Sequence, residues 1–128
     1  KYGLDEALRR AEAFIKAGAD GVFVEAPTSV EELERIGNAF DVPQLANMLE
    51  GGRTPILKPA ELHELGFNIV AWGISLLMRA TRAMQDALAD FYSGKQQLFG
   101  TGIGFDEYQQ IVGFDRWADV EARFAQTS

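Results

Sequence analysis

Apolar residues along the chain alternate between helical spacing and short continuous runs. Helical spacing predicts helices near residues 4–18, 28–36, 58–66 and 75–92. Between them lie three short apolar runs that are typical of buried strands: GVFVEAP (21–27), VPQLANM (42–48) and FNIVAWG (67–73). Alternating helices and strands with short connections predict an α/β fold built on a parallel sheet.

The end of the chain shows a different pattern. A glycine-rich connection, SGKQQLFGTGIG, leads to two further helical patterns near 105–112 and 115–125, and Asp115 is placed as a helix N-cap. We expect one partial domain over residues 1–128, with 104–128 as a C-terminal helical tail. Three parallel strands leave two bare edges, and they amount to about three units of a (β/α)8 barrel. Because the sequence opens on KYGLDEALRR without an initiator methionine, we expect either a processed chain or part of a longer one.

Composition and charge exclude several classes of function. The 128 residues carry a formal net charge of -7, which makes a nucleic-acid backbone an unfavourable partner. The absence of cysteine excludes disulfides and thiolate chemistry within these residues. Apolar runs are too short to cross a membrane, so we expect a cytoplasmic protein with no membrane partner. His63, among glutamates, is interpreted as a surface residue.

Polar side chains stand where the predicted strands end, and ligands of α/β proteins bind beyond the carboxyl ends of strands. Each has a structural alternative: Glu25 could hydrogen-bond a neighbouring loop, Asn47 could organise its loop, and Trp72 could simply pack. Arg53 and Thr54 could contact anions or remain solvated. The candidates at the strand ends are Glu25, Asn47, Glu50, Trp72, Gly73 and Ser75.

Three segments together resemble a known family: GADGVFVEAP, PQLANMLEGGRTP and AWGISLLMRATRAMQDAL. In this order and spacing they are similar to the second half of the isocitrate lyase and phosphoenolpyruvate mutase superfamily. The nearest branch contains 2-methylisocitrate lyases, oxaloacetate decarboxylases and carboxyphosphonoenolpyruvate mutases, and the tail FDEYQQIVGFDRWADVEARF also fits it. The resemblance implies the C-terminal part of a (β/α)8 TIM barrel, strands six to eight. Its eighth helix, 75–92, would pack on a neighbouring subunit and give dimers or tetramers.

The resemblance also implies the chemistry. It implies an Mg²⁺-dependent lyase that forms a pyruvate-type enolate from a small 2-oxo or 2-hydroxy acid. Glu25 would belong to the carboxylates near substrate and, indirectly, metal. Asn47 would contact substrate by its side chain, and Met48 and Leu49 mainly by their backbone. Glu50, Trp72, Gly73 and Ser75 remain possible pocket-lining residues.

Two departures from the family pattern bear on activity. The substrate-holding arginine of 2-methylisocitrate lyases falls, without gaps, on Met78, with Arg79 one residue later. A smaller acid such as oxaloacetate is therefore favoured over a tricarboxylate. The family's magnesium-binding aspartates and its catalytic lysine–cysteine–glycine loop have no counterpart here. We therefore expect no catalytic residue in this chain, most of the Mg²⁺ ligands outside it, and no activity of the chain alone. The alternatives are a phosphonomutase and a non-catalytic half-barrel that acts through association.

Overall fold

The computed structural model describes residues 2–125, in which helices and strands alternate as predicted. Each strand is shorter than its apolar run, because pairing ends before the flanking turn residues. In chain order, the described elements are α1 (Gly3–Lys16), β1 (Val22–Phe23), α2 (Val30–Gly37), β2 (Gln44–Asn47), α3 (Pro59–Glu64), β3 (Ile69–Ala71), α4 (Ser75–Ser93), α5 (Phe105–Val112) and α6 (Phe114–Phe124).

The three strands form one parallel sheet in the order β1-β2-β3, which confirms the predicted pairing. Phe23 pairs with Leu45, and Leu45 pairs in turn with Ile69. Beyond the strand ends, the Met48 N–H donates to the Ala71 carbonyl at 2.8 Å and adds one more rung. All three strands therefore finish at the same side of the sheet. We call this side, with Glu25, Asn47 and residues 72–75, the carboxyl edge.

The core lies on one face of this sheet. Strand side chains alternate between faces, and Ala46 and Met48 point toward the helices, where they are 3% and 0% exposed. They pack against buried apolar side chains contributed by α2, α3 and the segment before β3: Leu33, Ile36, Leu62 and Phe67. The central strand is therefore held by helices as well as by its two neighbours.

The opposite face is much less covered. Phe23, Leu45 and Ile69 are paired neighbours and share this face, and Phe23 and Ile69 are 47% and 49% exposed. The prediction of buried strands is therefore met on the helix side of the sheet, whereas Phe23 of β1 and Ile69 of β3 are half exposed on the other side. Within residues 2–125, these side chains are covered only in part. We call this surface the open face.

Contacts divide the chain into two compact units, Lys1–Thr81 and Arg82–Ser128. In the second unit, the Asp90 carboxylate accepts the backbone N–H groups of Gln97 and Leu98 at 3.0 and 2.9 Å and fixes the connection after α4. Gly113, with φ of 73°, joins α5 to α6. Asp115 lies inside the first turn of α6, so its prediction as an N-cap is wrong by two positions.

None of the helices described between residues 2 and 125 has the length and apolar character needed to cross a membrane. His63 is exposed on α3, which confirms its interpretation as a surface residue.

The backbones that follow α2 and α3 touch at two glycines. A Cβ on Gly37 would overlap the Leu65 carbonyl, and one on Gly66 would overlap the Gly37 carbonyl. The buried Gln44 side chain donates to the same Gly37 carbonyl at 2.7 Å. This contact positions both helices against β2.

We expect Gly37→Ala to destabilise the protein by about 3 kcal/mol, because the new methyl group has to displace a buried backbone carbonyl. Chemical denaturation measures the change in the free energy of unfolding. Gly102→Ala is the matched control, since a Cβ there meets nothing within 4 Å. Equal stability of the two variants would contradict the close approach.

Charged side chains on α1 form a surface cluster. The Glu6 carboxylate accepts Arg9 Nε at 2.7 Å and Arg10 Nε at 2.8 Å. Hydrogen bonds from Arg9 and then Arg10 lower the pKa of Glu6 from its ordinary 4.5 to about 2.

A folded pKa below the unfolded one means that the unfolded chain binds more protons between pH 4.5 and 2. The contribution of Glu6 to stability is therefore complete above that window and is lost as the pH falls through it. We expect Glu6→Gln to reduce the pH dependence of unfolding in this window, measured by denaturation at several pH values. Glu34→Gln removes an exposed carboxylate that has no ion pair among residues 2–125, and serves as the control. Identical acid profiles for Glu6→Gln and the parent protein would refute the role of the cluster.

Candidate functional site

Glu25 lies two residues beyond β1, at the carboxyl edge. Its side chain is exposed rather than turned into an enclosed mouth, and no hydrogen bond or ion pair joins it to another residue between 2 and 125. Ala26, which follows, has φ of 55°, in the left-handed region. That conformation costs an alanine roughly 1–2 kcal/mol, and such strain is concentrated at functional sites. The carboxylate is thus held in the open by a strained backbone.

The segment that contains Glu25 is followed by the capped start of α2, which fixes its position. Ser29 is the N-cap, and its Oγ accepts the Glu32 N–H at 3.2 Å. The Glu32 carboxylate in turn accepts the Thr28 N–H at 2.6 Å and the Thr28 hydroxyl at 3.0 Å. These bonds lower the pKa of Glu32, and the charges of Arg35 and Arg53 add to the effect. A reciprocal cap therefore anchors the chain immediately after Glu25.

Asn47 is the last residue of β2 and lies on the open face. Its Oδ1 is buried and has no donor among the described residues. It points toward the turn after β3, since a Cβ on Gly73 would lie 3.6 Å from it. A buried amide oxygen without a donor is costly, so this position favours a ligand or water that supplies one.

Ser75 begins α4 and is 6% exposed, and its Oγ also lacks a partner within residues 2–125. Trp72 is 44% exposed and lies with Gly73 in the connection between β3 and α4. These side chains stand where predicted, at the end of β3. Within residues 2–125, no hydrogen bond joins Trp72 or Ser75 to Asn47.

Several groups of Met48 and Leu49 are unavailable to a substrate because they are buried or already hydrogen-bonded. The Met48 side chain is fully buried in the core, and its sulfur accepts the Leu57 N–H at 3.4 Å. The Leu49 carbonyl accepts the Gly52 N–H at 2.9 Å. A contact of Met48 with substrate would therefore involve its backbone carbonyl, because its N–H pairs with Ala71. Their role in substrate binding stays a prediction.

The loop after β2 places Glu50 in contact with Arg79, which is not among the candidates at the strand ends. Arg79, the fifth residue of α4, donates from Nη2 to Glu50 Oε1 at 3.3 Å. Two sequence signals point to this cation: its place one turn into the helix after β3, and the family resemblance, in which it lies one residue after the position of a substrate-holding arginine. Met78, the position favoured by ungapped comparison, is 43% exposed. The guanidinium therefore reaches the carboxyl edge between β2 and β3.

Two recesses divide the candidate residues. A cleft of about 990 Å³ runs along β1 and is lined by Glu25, Glu32 and Arg53. A cavity of about 10 Å³, enough for at most one water, is lined by Asn47 and Thr54. The structure thus brings Asn47 to Gly73 and Glu50 to Arg79, but it places Glu25 and Asn47 in different recesses.

The residues described between 2 and 125 contain no group of three or more acidic or histidine side chains able to hold a metal ion. Glu25, Asn47 and Glu50 are suitable oxygen donors for magnesium by chemistry, but they do not converge. This donor set does not form a magnesium site by itself.

Comparison with known proteins identifies relatives along almost the whole chain. Residues 1–92 match the family described as phosphoenolpyruvate phosphomutase. A 2,3-dimethylmalate lyase of Eubacterium barkeri is 39% identical over 125 residues, covering 96% of this chain and 43% of the relative. A chloroplastic carboxyvinyl-carboxyphosphonate phosphorylmutase of Arabidopsis thaliana is 37% identical, covering 98% and 38%. The chain thus spans about two-fifths of the length of these curated relatives.

Solved structures show the same fold. A crystal structure of 2,3-dimethylmalate lyase, a member of the PEP mutase/isocitrate lyase superfamily, matches with a TM-score of 0.85 and 28% identity, over 98% of this chain and 44% of that one. A phosphonopyruvate hydrolase solved with oxalate and Mg²⁺ matches with a TM-score of 0.76 and 24% identity, over 95% and 44%. This chain belongs to the phosphoenolpyruvate mutase/isocitrate lyase superfamily.

Proposed function

We propose that this chain supplies one wall of the substrate site of a magnesium-dependent carbon–carbon lyase acting on 2-oxo or 2-hydroxy acids through a pyruvate-type enolate. The observation that carries the proposal is the buried, unpartnered Asn47 Oδ1, which faces Gly73 where β2 and β3 end. The similarity to 2,3-dimethylmalate lyase supports a small hydroxy-acid substrate.

In this proposal the side-chain amide of Asn47 binds the substrate acid by hydrogen bonds. Its oxygen accepts a hydrogen bond from a 2-hydroxyl group, and its NH₂ donates to a carboxylate or 2-oxo oxygen. Arg79, which reaches the loop after β2 through its contact with Glu50, attracts a carboxylate. The exposed Glu25 and Trp72 line the approach, and the backbone of Met48 and Leu49 completes the wall.

Catalysis itself is assigned to other parts of the complete enzyme. The donor set of this chain does not form a magnesium site, so Mg²⁺ would take its ligands mainly elsewhere, with Glu25 at most an indirect contributor. We therefore propose no catalytic residue here and no activity of these 128 residues alone.

Two observations support the assignment of β1, β2 and β3 to the sixth, seventh and eighth strands of a (β/α)8 barrel. First, an apolar open face with Phe23 and Ile69 half exposed requires cover, because burial of apolar surface is the main driving force of folding. Second, the relatives are more than twice as long as the matched part. Further strands would close the open face into a barrel interior.

The second candidate is a phosphonomutase that acts on a phosphorus–carbon bond in the same kind of site. The matching family carries a phosphomutase name, and the Arabidopsis relative is a phosphorylmutase. The wall described here serves both reactions, since each substrate presents a carboxylate beside a 2-oxo or enol oxygen.

Helix α4 supports association into a homo-oligomer. Leu77, Met84, Leu88 and Phe91 recur at intervals of seven, four and three residues, which places them on one side of the helix. They are 63%, 57%, 54% and 53% exposed. A second copy of this chain, offering the same helix, is the proposed cover.

We expect Asn47→Ala to weaken binding of oxalate about tenfold, because one hydrogen bond to a charged ligand is lost. The protein is expressed with all the sequence that its gene encodes, and oxalate is titrated calorimetrically with Mg²⁺ present. Asn38→Ala removes an exposed amide from the end of α2 and is the control. Unchanged affinity in Asn47→Ala would remove Asn47 from the site.

We expect Leu88→Asp or Leu77→Asp to dissociate the oligomer, since a carboxylate cannot be buried unpaired in an apolar interface. Light scattering measures the mass. Gln85→Asp introduces the same group at an exposed polar position of α4 and should leave the mass unchanged. Retention of the parent mass in both leucine variants would exclude α4 as the interface.

A further inference from the structure

The contact between Glu50 and Arg79 joins two elements that are 29 residues apart in the chain. Glu50 belongs to the loop after β2, and Arg79 to the helix after β3. Their ion pair therefore connects the segments that follow β2 and β3 at the carboxyl edge. Asn47 ends β2 three residues before Glu50, so the amide and the ion pair both belong to the carboxyl edge.

The pair is poorly made for a permanent structural link. One nitrogen meets one oxygen at 3.3 Å, whereas a guanidinium and a carboxylate can form two shorter parallel bonds. The side chains are 72% and 46% exposed, so water competes at both ends. The geometry leaves the remaining donors of Arg79 available to a second carboxylate.

The loop leaves the Glu50 side chain room to move away from Arg79. Gly51 follows it directly with φ of 76°, and Gly52 comes next. A Cβ on Gly51 would meet nothing within 4 Å, whereas one on Gly52 would lie 2.9 Å from the Leu49 carbonyl, so the turn has open space only around Gly51. The turn itself is closed by the Gly52 N–H, which donates to the Leu49 carbonyl at 2.9 Å, so Glu50 leaves Arg79 by rotation of its exposed side chain.

We propose that Glu50 is an internal carboxylate that occupies Arg79 until an acid with a second carboxylate displaces it. Arg79 then binds that second carboxylate while Asn47 holds the 2-hydroxy or 2-oxo end. An acid with one carboxylate leaves the Glu50–Arg79 pair intact. Glu50 is thus a specificity-determining residue that lowers the affinity for dicarboxylates relative to monocarboxylates. This inference rests on the proposed function, because it requires a hydroxy-acid site at Asn47.

Malate and lactate provide the test, since both are 2-hydroxy acids and only malate carries a second carboxylate. Binding of each is titrated to the protein expressed with all the sequence that its gene encodes. We expect Glu50→Gln to raise the affinity for malate about fivefold and to leave that for lactate unchanged. Arg79→Gln should weaken malate binding, and adding Glu50→Gln to it should bring no gain.

Glu64→Gln removes an exposed carboxylate at the far end of α3 and controls for the change in net charge. An equal gain for malate and lactate in Glu50→Gln, or a gain that persists in the Arg79→Gln background, would overturn the inference by showing general charge repulsion. No gain for malate would overturn it as well.

The proposed function is tested separately by oxalate. Binding of oxalate that depends on Asn47, with an unchanged ratio of malate to lactate affinity, would refute the role of Glu50 alone. Absence of oxalate binding by the parent protein would refute the proposed function and this inference together.

Discussion

The structure of the first unit depends on the parallel pairing of β2 with a strand on each side. Backbone hydrogen bonds to β1 and β3 fix the position of β2 along the sheet, and the helices cover one of its faces. In a parallel sheet all strands end on the same side, so register alone determines which residues meet there. Asn47 stands opposite Ala71 for this reason, and the turn through Gly73 is brought to its amide.

Three buried side-chain oxygens among residues 2–125 have no hydrogen-bond donor: Asn47 Oδ1 and Ser75 Oγ at this edge, and Gln44 Oε1 at the other end of β2. The core side chains of α2 and α3 are almost fully buried, whereas the Asn47 and Ser75 oxygens are buried without a donor. Ala26 adds a strained backbone beside the exposed Glu25. Deviations of this kind persist only where the surrounding structure enforces them, and here the capped start of α2 and the sheet register do so. Two of these three oxygens and the strained Ala26 lie at one edge of the sheet, which argues for a ligand there.

The sequence predicts the elements of the fold well because their signals are local. The apolar run around Leu45 predicts β2 from adjacent residues, and the structure confirms that strand; the Ser29 cap with Glu32 at the start of α2 is a feature of the same local kind. Strand lengths were overestimated, since an apolar residue such as Val24 continues the pattern after pairing has ended. The displacement of the α6 N-cap from Asp115 to Gly113 follows from the left-handed glycine, which terminates one helix and starts the next.

The candidate site could be predicted only in part, because its geometry depends on residues far apart in the chain. Position at a strand end identifies Asn47 and Glu50, but not the partner of either. The proximity of Arg79 to Glu50 arises only when α4 returns past β2.

Alternation along the strands links the fold to the site. Ala46 and Met48 face the helices, so their neighbours Leu45 and Asn47 must face the other way. The same geometry that buries the core therefore places the amide on the open face, together with Phe23 and Ile69. An apolar surface that ends in unpaired polar groups is what the interior of a larger α/β assembly presents at its ligand-binding end. The position of the candidate site and the half-exposed apolar face are two consequences of one strand register.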